Sequence, residues 1–120
     1  MHDNNEVRDI QEKMQDCIKQ MRRLAPLVGA ARQVKEFSSD QRKNALAAAQ
    51  IVYIQRGESV AASETFARSN PTYLEKMKAL ELAYSSACGT IAEWEAIFAR
   101  WESCRSIHAM LKETLRTLEG

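Results

Sequence analysis

The sequence predicts an all-α protein, a helical bundle of coiled-coil character, and three observations carry that prediction. Only four glycines and two prolines punctuate 120 residues, which leaves room for little but helix. Aromatic residues make up 7% of the chain, and strict apolar/polar alternation is scarce, which argues against a sheet. Apolar residues instead recur at three- and four-residue steps: Tyr73, Met77, Leu80, Tyr84, Ala87, Ile91, Trp94, Phe98 and Trp101. That stripe belongs to one long C-terminal helix, about 72–119, without a proline. At 1.5 Å per residue it would reach roughly 70 Å, about twice the diameter of a compact domain this size. Much of the stripe therefore calls for partners that the rest of the chain supplies only in part.

The N-terminal segment shows a heptad. Val7, Met14, Met21 and Val28 lie seven apart, with Ile10, Cys17 and Leu24 three residues after the first three, the seam of a coiled coil or bundle. Asp3 or Asn4 can cap its start, and Glu6 and Asp9 suit the positive end of the helix dipole. Pro26 should kink or end this helix, because proline removes a backbone donor, so the N-terminal region reads as one or two helices kinked near that residue.

From Ala30 to Arg56 a second helical stretch carries Val34, Phe37, Ala45, Ala48, Ile51 and Val52 as its stripe. Ser38 three residues before Gln41 has capping-box chemistry, but Phe37 and Gln41 keep the four-residue step and favour continuity. Gly57 supplies the left-handed residue that ends many helices, and Ser59 can cap a short helix over 60–69. Pro71 pushes Asn70 away from helical geometry, and Thr72 with Glu75 forms a capping box that opens the long helix. Gly89 threatens that helix, yet the stripe passes it in phase from Tyr84 and Ala87 to Ile91 and Trp94. A mid-helix glycine costs only about 1 kcal/mol relative to alanine, so one continuous helix is expected. The chain is read as a single helical domain over 1–120.

Few functional classes find support. Met1 to Asp9 is polar and acidic, unlike a secretory signal, and no eighteen apolar residues run together, so a cytoplasmic protein is expected. Cys17, Cys88 and Cys104 are odd in number and sit on or beside apolar stripes, as small buried hydrophobes do in a reducing compartment. No CxxC or Cys/His spacing points to a metal. His108 lies on the stripe and reads as a partly buried histidine held by a hydrogen bond, while His2 sits at the terminus. Glu93, Glu95 and Glu102 read as a solvated helix face. With no phosphate loop, nucleophile elbow or Cys/His pair, no enzyme, cofactor or small-molecule substrate is implied.

Two surfaces remain as candidates. Trp94 and Trp101, one heptad apart and flanked by Ile97 and Phe98, with Arg105 beside them, could anchor either an interior or a partner contact. Residues 19–43 hold Lys19, Arg22, Arg23, Arg32, Lys35, Arg42 and Lys43 against Glu36 and Asp40. Arg22, Arg23, Arg42 and Lys43 are thus the candidate contacts to phosphate or an acidic surface. No aromatic platform or zinc spacing strengthens a nucleic-acid reading.

The stretch from Arg42-Lys43 through Gly57-Glu58-Ser59-Val60-Ala61-Ala62-Ser63-Glu64-Thr65-Phe66-Ala67-Arg68 to Asn70-Pro71-Thr72-Tyr73 resembles a group of small helical accessory proteins of tailed phages and prophages. These are similar in their Arg-Lys pair, Ala-x-x-Glu-x-x-Ala helix, Pro-x-Tyr turn and Trp-Arg-rich last helix, here Trp94, Arg100, Trp101 and Arg105. The N-terminal heptad and Gly89 depart from that pattern. The resemblance implies a non-enzymatic accessory protein, of a class often encoded near recombination genes. Such a protein would bind another protein in a bacterial host, as an inhibitor of a nuclease or defence complex or as a recombination accessory. A homodimer through the long helix or the heptad is the expected assembly, since twofold pairing covers a self-complementary stripe. The alternatives are a DNA-associated protein using the basic 19–43 segment and a purely structural oligomer.

Overall fold

The computed structural model describes residues 4–119, and it is helical almost throughout. Three helices follow in chain order: α1 (Asn4–Gln55), α2 (Val60–Ser69) and α3 (Pro71–Glu119). Asp3, expected as a cap, and His2 lie outside the described residues. No strand occurs among the described residues, so the all-α reading holds.

Pro26 lies inside α1 and does not end it. The reason is its face: Pro26 is exposed, whereas Leu24 and Val28 on either side of it are buried. The carbonyl left without its amide partner is that of exposed Arg22, where water can satisfy it, and burial of the opposite face holds the helix together. Ser38 does not start a new helix either, because its hydroxyl donates back to the Lys35 carbonyl at 3.1 Å. With no break at either position α1 runs for 52 residues, and within each unit the α3 stripe residues from Tyr73 to Leu111 are buried or half-buried.

The helix ends follow from local chemistry. Gly57 has φ 97°, its amide donates to the Ile54 carbonyl at 3.0 Å, and the Glu58 amide reaches the Tyr53 carbonyl at 3.1 Å. These are the two bonds of a Schellman ending, in which glycine avoids the steric cost of the left-handed conformation. Ser59 caps α2 as expected, accepting from the Ala62 amide at 3.2 Å. The cap of α3 is a correction. Asn70, not Thr72, holds its first turn, its side-chain oxygen accepting from the Tyr73 amide at 3.1 Å. Asparagine is among the strongest N-caps, and Pro71 then occupies the first helical position, where a missing amide costs nothing.

The chain divides into two compact units, Met1–Gly29 with Thr90–Gly120, and Ala30–Gly89. In the first, the N-terminal part of α1 runs antiparallel to the C-terminal part of α3, as Gln11 beside His108 and Arg23 beside Glu93 require. Its core is Cys17, Leu24, Val28 and Ile97, with Met21, Trp94 and Trp101 packed against them. The heptad seam is therefore real, and α3 covers it.

The second unit holds the rest of α1, all of α2 and the start of α3. Its buried and half-buried α1 residues are Ala31, Val34, Ser38, Ala45, Leu46, Ala49, Gln50 and Tyr53, which keeps Val34 and Ala45 of the expected stripe and corrects the rest. Phe37 is 50% exposed, Ile51 52% and Val52 44%, and Ala48 is exposed as well. Apolar residues occupy nearly every face of residues 45–54, so hydropathy alone does not tell the half-buried Leu46 and Tyr53 from the exposed Ile51 and Val52. Ser63 and Ala67 of α2 are fully buried, and the Ser63 hydroxyl is satisfied by donating to the Val60 carbonyl at 2.7 Å. The Tyr53 and Phe66 rings lie 5.6 Å apart, tilted by 30°, and the Tyr53 hydroxyl accepts from the Asn70 side-chain amide at 2.9 Å, which ties α2 and its following turn to α1.

Gly89 is exposed within α3, and a Cβ added there meets nothing within 4 Å. Gly89→Ala should therefore stabilise the protein by about 0.5–1 kcal/mol through helix propensity and the reduced entropy of the unfolded chain. Thermal unfolding monitored by circular dichroism checks this, and a lowered midpoint would contradict it.

Candidate interaction surfaces

Along α3 in the first unit, spacing of three and four residues stacks four side chains into a row. The Trp94 and Phe98 rings lie 5.2 Å apart and nearly parallel, at 10°. Phe98 and Trp101 follow at 5.9 Å and 32°, and the Arg105 guanidinium sits 5.1 Å from the Trp101 ring centre. Each aromatic pair contributes about 0.5–1.5 kcal/mol beyond its burial, and an exposed cation over a ring about 0.5–1 kcal/mol. Ile97 lies in the core beneath, only 4% exposed, and both tryptophans pack against that core.

The structure thus brings together all five residues of the expected aromatic patch, in two layers. Ile97 belongs to the interior. Trp94, Phe98 and Trp101 are half-buried and spend ring faces on each other, so their outer edges and exposed Arg105 form what surface remains.

One detail of this row departs from ordinary packing, since the Trp101 indole nitrogen is buried without a hydrogen-bond acceptor. An unmade bond of this kind costs about 1–3 kcal/mol, comparable to the packing lost on shortening the ring system. Trp101→Phe should accordingly change stability by less than about 1 kcal/mol, a small effect for a core tryptophan. Chemical denaturation showing a loss above 3 kcal/mol would contradict that account.

The four candidate cations divide between the units. Arg22 and Arg23 lie in the first, where Arg23 approaches Glu93 at 3.6 Å with both side chains well exposed. Arg42 and Lys43 lie in the second, where Arg42 is 6.0 Å from the Tyr84 ring centre. A surface pair such as Arg23–Glu93 contributes at most about 1 kcal/mol. Arg22 and Lys43 are exposed, in keeping with a solvated face.

The polar candidates for chemistry stay apart. His108 is half-buried, with the Gln11 side-chain nitrogen 3.3 Å from its Nε2. Glu93, Glu95 and Glu102 are exposed. All three cysteines are free thiols, Cys17 and Cys104 buried and Cys88 half-buried. Among the described residues no group of three or more His, Cys, Asp or Glu side chains could hold a metal ion, and no helix is long and apolar enough to cross a membrane. Arg68 and Glu64 form an exposed pair at 2.8 Å, and the hydrogen bond and charge of Glu64 raise the Arg68 pKa further above its ordinary value.

A surface that the sequence reading passed over lies at the outer end of the first unit. Ile10, Ile107, Met110 and Leu111 line a shallow cleft of about 290 Å³ with Glu6 and Asp9 at its rim. Met110 continues into a neighbouring cleft with Thr114, Thr117 and Leu118. Leu118, expected on the inward stripe, is 69% exposed. The steps from Ile107 to Met110, Thr114 and Leu118 mark this second stripe in the sequence, but the richer stripe on the facing side masked it.

Comparison with protein-family models, curated proteins and solved structures finds no match to this chain.

Proposed function

We propose that this chain is a non-enzymatic helical scaffold that acts by binding protein and assembles as a homodimer. The observation that supports this reading is its surface. Both units keep large apolar side chains outside: Phe37, Ile51, Val60, Leu74, Leu82 and Met110 are each at least half exposed. Exposed apolar side chains that adjoin one another mark protein-interaction sites. The resemblance to phage accessory proteins makes a host protein complex the class of outside partner.

Light scattering during size-exclusion chromatography tests the assembly. The expected mass is twice the 13.6 kDa of the chain, and a mass of one chain at every loading concentration would overturn the homodimer.

A further inference from the structure

We propose that Gly29 and Gly89 form a hinge, the place where α1 and α3 each bend so that the two compact units move as separate bodies. The chain passes from one unit to the other twice, after Gly29 in α1 and after Gly89 in α3. These are also the two glycines that lie inside helices among the described residues. The inference concerns motion within one chain and stands independently of the homodimer.

Neither glycine is present for the reasons that ordinarily require one. Glycine is needed where the backbone is left-handed, or where another group approaches too closely for a Cβ. Gly57 has the first reason, being the one positive-φ glycine among the described residues. At Gly29 and Gly89 an added Cβ meets nothing within 4 Å, and both positions are exposed. What remains is the property glycine brings to any helix interior, a backbone that leaves helical geometry more readily than that of alanine.

Neighbouring residues deepen the weakness. In α1, Pro26 lies three residues before Gly29 and lacks the amide that a continuous helix would use there. In α3, Ser85, Ser86 and Thr90 surround Gly89, all weaker helix formers than alanine. Sharp helix bends occur at proline and where glycine meets serine. The buried clusters lie to either side: Cys17, Leu24, Val28 and Ile97 all belong to the first unit, and Ala45, Ser63 and Ala67 to the second. Bending at the two crossings therefore leaves the packing within each cluster intact.

Pulsed electron resonance between spin labels at Lys13 and Lys78, exposed residues of different units, tests the hinge. The labels are attached to keto-bearing unnatural residues so that the native cysteines stay untouched. Diluting labelled with unlabelled chain restricts the signal to distances within one molecule. The parent protein should give a broad distribution. Gly29→Ala combined with Gly89→Ala should lower the population of bent conformers about 25-fold, about fivefold for each glycine, and so narrow the distribution. A control pair at Lys19 and Glu102, both exposed in the first unit, should be narrow in both proteins. Equal widths for parent and double variant at Lys13 and Lys78 would overturn the hinge, as would the same narrowing at the control pair.

Discussion

Ile97→Ala should lower stability by about 3 kcal/mol, within the 2–5 kcal/mol span of such truncations. Ile97 is 4% exposed and is the α3 residue buried in one cluster with Cys17, Leu24 and Val28 of α1. The space it fills cannot close easily. Trp94 and Trp101 pack against the same core, and their rings are held in the row through Phe98, so collapse onto the missing methyls would disrupt that stacking. Urea unfolding at one fixed protein concentration measures the effect, the fixed concentration being necessary because assembly adds to apparent stability. Leu82→Ala, at an exposed position, should stay within about 0.5 kcal/mol. Equal losses for the two variants would mean that the Ile97 core does not hold the first unit together.

The second large effect concerns α2. Ala67→Leu should destabilise the protein by about 1–3 kcal/mol, because Ala67 is fully buried and a larger side chain must displace its neighbours. The damage should concentrate locally. Ser63, one turn earlier on the same face, is equally buried, so α2 is seated by two small residues and its Tyr53–Phe66 contact. Hydrogen exchange should therefore accelerate in residues 60–69 more than in the Ile97 region. Ala61→Leu, at an exposed position of the same helix, supplies the control and should leave exchange unchanged. Uniform acceleration across the chain would contradict a locally seated α2.

These contrasts show which parts of the architecture were legible in the sequence. The heptad from Val7 to Val28 and the stripe from Tyr73 to Leu111 each have one clear apolar face, and the structure buries or half-buries both. Capping chemistry marked the limits of α2 to the residue, since Ser59 has a single use there. Reading was weaker where a signal had two solutions. Asn70 and Thr72 both suit a cap, and the fit of Pro71 to a first helical position decided for Asn70. In residues 45–54 nearly every face is apolar, so periodicity could not tell Tyr53 inside from Ile51 outside. Pro26 left one or two helices open for a different reason, because its effect depends on which face of the helix it occupies, and that is a tertiary property.

The aromatic patch was legible as residues but not as layers. Sequence spacing puts Trp94, Phe98, Trp101 and Arg105 on neighbouring turns, whereas the depth of Ile97 beneath them depends on where α1 lies. The strip from Ile107 to Leu118 shows the converse. Its spacing is regular, but the hydroxyls of Thr114 and Thr117 look polar in a sequence, and only their bonds to the helix backbone turn it into an apolar face.

The central claim is that a second copy of this chain covers large apolar side chains that its helices leave exposed. Sedimentation equilibrium of the unmodified chain across micromolar concentrations tests it most directly. A single species of twice the 13.6 kDa chain mass, dissociating only on dilution, is the expected result; a 13.6 kDa species throughout would contradict the account.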